Sequence, residues 1–376
     1  MKKIIWCVQN LNHIGGTETV SIKLMNLLCP YYDIHLMCTA KIEGTPSYEI
    51  DPRIHIHSLN MSPEPGILDS EFSNLWHRGK IFKFLKLTHQ CLSFFVYKRK
   101  KQRKIIQNLM DKDSIYIGTA LDSYLFAPKK GRVFFHWHFN AKNYLAFSNQ
   151  LIFSFLRKPE KTIFLSKTDL DIALKKKKSL KNKATFIYNP IRFAPKENLE
   201  TYNHKIIFAG RFALQKDPLL ALNIALELHK ANFPFTLNMF GAGPLENKMR
   251  DFIKENNLKE VNIITGHRLS QEDFLANDIL LCTSNHEGTV LINGEANASS
   301  LPVISTHWKG AFDEVFTPGK TGIVIENRDP KEFANTIIKL LSKEDKLIEA
   351  KKEAYKDSFK FSEEEIIKNW RNLLDK

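Results

Sequence analysis

The chain has 376 residues, a net charge of +14, a hydrophobic share of 43% and a charged share of 26%, the balance of a soluble globular protein long enough for two cores. No run of about 18 uninterrupted apolar residues occurs, which argues against a membrane-spanning helix, and the apolar opening Ile4 to Val8 is too short for a secretory leader. Ten basic residues and no acidic one fall between Arg78 and Lys104, so the basicity is largely local.

The first half alternates two periodicities. Lys3 to Val8, Ile34 to Cys38, Ile54 to Ser58, Ser114 to Ile117, Val133 to His136, Thr162 to Ser166 and Thr185 to Tyr188 are predicted strands. Between them, Thr17 to Leu28, Phe82 to Met110, Asn143 to Phe155 and Thr168 to Lys178 repeat apolar residues every three or four positions, as helices do. Such alternation predicts βα units and a parallel sheet covered on both faces. Gly15-Gly16 fall between the first strand and the first helix, where paired glycines let main chain approach a ligand closely. They are not part of a Gly-x-Gly-x-x-Gly sequence, so a dinucleotide fold is disfavoured. The basic run Arg78 to Lys104 interleaves Phe82, Phe84, Leu85, Leu92, Phe94, Phe95 and Tyr97 with its cations. That mixture suits the surface of an anionic membrane; no nucleic-acid motif accompanies it.

Asn189 to His204 is rich in turn chemistry and poor in apolar residues, and the domain boundary is placed there. The first domain is 1–189, with a terminal helix 362–376 returning to it, and the second is 190–361. In the second, Lys205 to Ala209, Phe235 to Phe240, Val261 to Ile264, Ile279 to Thr283, Val303 to Ser305 and Gly322 to Ile325 are predicted strands. Asp217-Pro218 and Asp329-Pro330 each cap a helix, with proline where its missing N–H costs nothing; Pro244, after Gly241-Ala242-Gly243, opens another.

Among candidate functional residues, His286 to Glu295 stand out. Gly288 to Val290 fall where a strand ends and a helix begins, so free amides can face an anion, a preference of about 0.3–1 kcal/mol from the helix dipole. Glu287 and Glu295 can accept hydrogen bonds from sugar hydroxyls. Amides for phosphate beside carboxylates for sugar suggest a nucleotide-sugar site. The five scattered cysteines form no Cys-x-x-Cys and point to a reduced, cytoplasmic compartment. His55 with His57, and His136 with His138, alternate on strand faces, but neither pair has a second ligand pair nearby in sequence, and no metal is expected. Asp111-Lys112-Asp113 and Asp169-Leu170-Asp171 sit where aspartate is ordinary at helix ends.

The segment Glu287-Gly288 to Glu295-Ala296, followed by Ser300-Leu301-Pro302-Val303-Ile304, resembles the signature of retaining glycosyltransferase family 4; Thr289 and Val290 stand where that family carries an aromatic residue and a glycine. Gly210-Arg211, with Lys216 five residues on, resembles the family's diphosphate-gripping pair. Gly241-Ala242-Gly243-Pro244 resembles a Gly-x-Gly-Pro turn, and Gly15-Gly16-Thr17-Glu18 a Gly-Gly-x-Glu loop. His138 resembles the histidine near the transferred sugar, with His136 as the competing candidate.

The resemblance implies a GT-B fold, two doubly wound α/β domains facing across a cleft. It implies transfer of a sugar from a nucleotide-diphosphate sugar, usually a UDP-sugar, to a glycan or lipid-linked acceptor, without metal or other cofactor. Arg211 and Lys216 would stabilise the leaving diphosphate. Glu287 would hold sugar hydroxyls and Glu295 the ribose, while Gly16 and the Gly288, Thr289, Val290 and Leu291 amides would meet phosphate. Capsule, lipopolysaccharide or teichoic-acid synthesis at the inner face of the plasma membrane is the setting such acceptors imply. Two other classes stay open: a nucleotide-sugar epimerase of the same fold, and a non-catalytic scaffold that binds anions or membranes.

Overall fold

Short, nearly continuous apolar runs, buried on both faces, build two parallel sheets, each carrying its own core. The computed structural model describes residues 1–13, 15–61, 99–119, 121–146, 149–150, 153, 156–200, 202–285, 291–307, 314, 317 and 319–376. The stretch 62–98, which takes in most of the basic run Arg78 to Lys104, and the segment 286–290 lie outside the described residues. The chain divides into two compact units, Met1–Ile187 with Ile367–Lys376, and Tyr188–Ile366.

The first unit holds β1 (Lys3–Val8), β2 (Asp33–Ala40), β3 (His55–Met61), β4 (Ile115–Gly118), β5 (Arg132–His136), β6 (Lys161–Phe164) and β7 (Ala184–Phe186). Their order is β3-β2-β1-β4-β5-β6-β7, and each neighbouring pair is parallel. The direction of winding reverses between β1 and β4. Alternate residues Ile5, Cys7, Tyr116, Val133 and Phe135 pack into one core with Ile106, Tyr144 and Ala173 from the covering helices. On the remaining positions Trp6 meets Trp370 of the last helix, Glu363–Leu374, with ring centroids 5.0 Å apart. Lys2 Nζ donates to the Leu374 carbonyl at 2.6 Å and Tyr32 Oη to Asp375 at 2.7 Å. A buried tryptophan and two hydrogen bonds thus return the chain's end to its first strands.

Caps set where helices start. Asn140 accepts from the Asn143 amide and starts a four-residue helix, Ala141–Tyr144, that ends at Leu145 and meets the predicted Asn143 to Phe155 helix only at its first two residues, and Ser166 accepts from the Asp169 amide at the head of Lys167–Lys176. Only Arg99–Leu109 of the helix predicted from Phe82 falls in described residues.

The second unit holds β8 (Lys205–Ala209), β9 (Thr236–Phe240), β10 (Val261–Ile264), β11 (Ile279–Cys282), β12 (Val303–Thr306) and β13 (Gly322–Ile325), in the order β10-β9-β8-β11-β12-β13. Ile206 and Phe208 point to the face covered by helices Pro218–Lys230 and Pro330–Leu341. Ile207 and Ala209 point to the other, where Phe274 and Ala296 cover them. Asp217 and Asp329 cap their helices as the Asp-Pro pairs predict. The helix after Gly243 starts at Glu246, not at Pro244, and the Leu245 amide before it donates to the Phe212 carbonyl at 3.0 Å.

At the start of β11 the unit buries a charge pair. Lys351 Nζ lies 3.2 Å from Asp278 Oδ1, both side chains wholly buried, and Asp278 Oδ2 accepts from the Asn203 and Lys205 amides at 2.9 and 3.0 Å. One carboxylate therefore ties β8, β11 and the helix Glu344–Ser358 together.

Candidate functional site

In an open parallel sheet the loops beyond the carboxyl ends of the strands diverge where the winding reverses, and ligands bind in that crevice. In the second unit that point lies between β8 and β11. The loop after β8 carries Arg211, which is exposed, and Lys216, which is half-buried. Its backbone is stitched to the loop after β11. Thr283 Oγ1 donates to the Lys216 and Asp217 carbonyls at 2.9 and 2.8 Å, and the Asn285 amide donates to the Gln215 carbonyl at 2.8 Å. Arg328 closes the seam, donating to Asp217 Oδ2 at 2.6 Å and to the Thr283 carbonyl at 3.0 Å. Two cations five residues apart are thus held beside the strand end that leads into 286–290.

The Gly241-Ala242-Gly243 turn has a packing reason. A Cβ at Gly241 would stand 2.0 Å from the Gly210 carbonyl oxygen, and one at Gly243 2.5 Å from that of Phe212. Phe212 N donates to the Ala242 carbonyl at 3.0 Å. These glycines let two loops run against each other, and so hold the Arg211 loop in place. Above Gly210 lies the stem of Lys216, with Cγ, Cδ and Cε each 3.3 Å from where a Gly210 Cβ would be.

Glu287, Gly288, Thr289 and Val290 lie outside the described residues. Leu291 opens the helix Leu291–Ala298. Glu295, on the following turn, is 2% exposed and accepts a two-pronged pair from Arg192, Nε to Oε1 at 2.6 Å and Nη2 to Oε2 at 2.7 Å. Burial alone would raise the cost of its charge; Arg192 supplies the compensation. Each oxygen keeps a second lone pair. Arg192 is a residue that sequence reasoning missed, since a cation in a turn-rich linker carries no pattern. Gly294 is also structural, because a Cβ there would reach within 2.8 Å of Ile191 Cγ2, next to Arg192. Asn293, wholly buried on the same helix, finds no hydrogen-bond partner among the described residues for its side-chain nitrogen or oxygen. His267, in the loop after β10, pairs with Asp273 at 2.8 Å.

Gly16 and His138 belong to the first unit, again at strand carboxyl ends. Gly15 caps the helix Gly16–Leu28 and, having no side chain, makes no cap hydrogen bond of its own, while the Glu18 carboxylate of the first turn folds back to within 2.5 Å of where a Gly15 Cβ would stand; the Gly15 amide donates to Tyr48 Oη at 2.8 Å. A Cβ at Gly16 would meet nothing within 4 Å among the described residues, so their packing does not require glycine there. His136 is 1% exposed, edge-on to Trp6 and Trp370, whereas His138 is half-buried and therefore the accessible one of the two. Their Nδ1 and Nε2 lie 3.1 Å apart, a bond that needs one donor and one acceptor, so at least one of the two rings is neutral.

Burial, then the neighbouring His138, holds the His136 pKa well below the ordinary histidine value, and desolvation pulls His138 down as well. The unfolded chain then binds protons that the folded one refuses. Stability is accordingly full above about pH 6.5 and falls as pH drops further, by about 1.4 kcal/mol per pH unit for each proton of difference. In thermal melts, His136→Gln should flatten this acid slope; an unchanged slope would assign it to other groups.

The two Asp-x-Asp sequences are occupied locally. Asp111 Oδ1 accepts from Ser114 Oγ at 2.6 Å, and Asp169 accepts from the Ala141 amide and Ser166 Oγ at 2.7 and 2.8 Å. Of the basic run, Arg99, Lys100, Arg103 and Lys104 join Gln107, Lys129 and Lys130 around a cavity of about 520 Å³. Burial, then the like charge of Arg103, lowers the Arg99 pKa to about 10.

Comparison with known proteins fits this arrangement. Residues 191–357 match the family model described as Glycosyl transferases group 1. An uncharacterized glycosyltransferase of Methanocaldococcus jannaschii is 28% identical over 200 residues, 52% of this chain and 55% of that protein, so the chain spans about half the length of that relative. The amylovoran biosynthesis glycosyltransferase AmsD of Erwinia amylovora is 22% identical over 384 residues, covering 100% of both. The solved structure of S. aureus TarM, in complex with fondaparinux, α-GlcNAc-glycerol and UDP, overlays with a TM-score of 0.72 at 16% identity, covering 100% of both chains. The two α/β units have the GT-B fold.

Proposed function

We propose that this chain, a glycosyltransferase whose second unit carries a glycosyl transferases group 1 domain, moves a sugar from a UDP-sugar to a glycan or lipid-linked acceptor of a bacterial surface polysaccharide, with retention at the anomeric carbon as in family 4. The observation that carries the reading is the loop Gly210 to Asp217, pinned to the end of β11 with Arg211 and Lys216 on it. A guanidinium and an ammonium held at a winding reversal suit a pyrophosphate and the charge that grows as it departs.

The anomeric C–O bond to the diphosphate breaks and a bond to the acceptor oxygen forms on the same face. The acceptor's hydroxyl proton passes to the departing diphosphate oxygen, so no protein nucleophile or metal is required. Arg211 and Lys216 stabilise that leaving group. Glu287 holds sugar hydroxyls, and Glu295, pre-set by Arg192, offers its remaining lone pairs to the ribose. Gly16 and the amides of 288–291 meet phosphate, and His138, neutral, orients sugar or acceptor by hydrogen bonding. The first unit takes the acceptor. Two relatives support a phosphate-rich acceptor by their names, a poly(glycerol-phosphate) α-glucosyltransferase of Bacillus subtilis and a poly(ribitol-phosphate) α-N-acetylglucosaminyltransferase of Staphylococcus aureus, each about 25% identical over less than half of this chain.

A panel of nucleotide sugars, scored by mass spectrometry for hydrolysis and transfer, tests the reading. We expect UDP to be released from one UDP-sugar, faster with a polyol-phosphate or lipid-linked acceptor. Isomerised donor without acceptor would show an epimerase instead. The basic run and the cavity it enters fit an anionic leaflet or acceptor, where each cation adds about 1 kcal/mol near the surface. Flotation with phosphatidylglycerol vesicles should weaken on Lys100→Gln with Lys104→Gln, and equal flotation would remove the membrane from the proposal.

A further inference from the structure

Two rows of the first sheet converge on its opposite rim, where the strands begin. On β2, Asp33 and His35 share a face, and on the edge strand β3 so do His55 and His57, since residues two apart point the same way. The parallel register sets His35 beside His55 and Met37 beside His57. Sequence spacing shows only the His55/His57 pair; the strand pairing supplies the partners it lacked.

The geometry points to a divalent transition-metal site with Asp33, His35 and His55 as ligands. His35 Nε2 lies 3.3 Å from the Asp33 carboxylate and His55 Nε2 3.5 Å from it, and one ligand atom from each of the three falls within 4.8 Å of the others. Ligands at about 2.0–2.1 Å from a tetrahedral zinc stand roughly 3.4 Å apart, so two of the three edges are already at that length. The set of two imidazoles and one carboxylate suits zinc and its first-row neighbours and leaves a position for water.

His57 completes the arrangement. Its Nε2 lies 3.0 Å from His35 Nδ1, with the two rings stacked at 5.1 Å and 5°. A metal-bound imidazole usually donates its other N–H to a fixed acceptor, which sets its tautomer and orientation. His57 is therefore a positioning residue, holding His35 Nε2 toward the site. Lys3, paired with Asp33 in the register of β1 and β2, has its ammonium 3.7 Å from Asp111. The Asp33 side chain is one-third exposed and that of His55 61% exposed, which leaves an entry path. The ion would clamp the edge strand β3 to β2, away from the strand ends that carry Gly16 and His138.

Zinc chloride titrated calorimetrically into the chelator-treated full chain tests this. We expect one ion per chain, a higher melting temperature with zinc but not with magnesium, and an intense visible band with cobalt. His55→Ala, exposed enough to fold, should abolish the stoichiometric site and the thermal shift. His57→Gln should keep the stoichiometry and weaken affinity about 10- to 100-fold. Absence of binding in the wild type, or titration of His55→Ala and His35→Ala like the wild type, would overturn the assignment. None of these readouts depends on sugar transfer.

Discussion

Replacing Arg211 by alanine lowers kcat for sugar transfer by about 10²–10³-fold, roughly 2.7–4 kcal/mol of transition-state stabilisation, with little change in melting temperature. The split follows from where the residue sits. Arg211 is exposed, so its removal leaves no cavity and no buried orphan, and surface changes of that kind stay within about 0.5 kcal/mol. On the proposed mechanism its charge, in contrast, counts most when a diphosphate is leaving. Lys216→Ala should act in the same range but also strips the stem from over Gly210. On the proposed mechanism both cations serve one developing charge, so the double variant should lose less than the product of the single losses. Steady-state kinetics with the donor identified in the panel decide it; a kcat for Arg211→Ala within threefold of the wild type removes the residue from the mechanism.

The second large effect is on folding. Lys351→Met leaves the Asp278 carboxylate wholly buried without its cation and should cost about 3–5 kcal/mol, lowering the melting transition by roughly 10 °C for a unit of this size. Asp278→Asn in the same background should recover part of the loss. An amide oxygen can still accept from the Asn203 and Lys205 amides, and the unpaired charge is gone. Equal stability of Lys351→Met and the wild type, measured by denaturant titration, would mean that the pair contributes nothing net.

Most of the framework was legible along the chain because strand and helix periodicity, Asp-Pro caps and turn chemistry are local properties. β1, β8, β10 and β13 carry the predicted bounds to the residue, and the two-sheet α/β architecture follows from their rhythm. The family resemblance, too, is a property of consecutive residues such as Gly210-Arg211 and Glu295-Ala296. What the sequence could not contain is neighbourhood. Strand order is chosen by packing between distant segments, and that order decides that Thr283 reaches the Lys216 carbonyl, that Arg192 meets Glu295 across 103 residues of chain, and that Lys351 finds Asp278. It also gave the Gly241 and Gly243 pair a packing role, as the crossing of two backbones beside Gly210 and Phe212. In the same way it buried His136 while leaving His138 accessible, and set Asp33 and His35 beside His55. Charges and imidazoles draw their meaning from what stands within a few ångströms, and across a parallel sheet the neighbours on adjoining strands are far away in sequence.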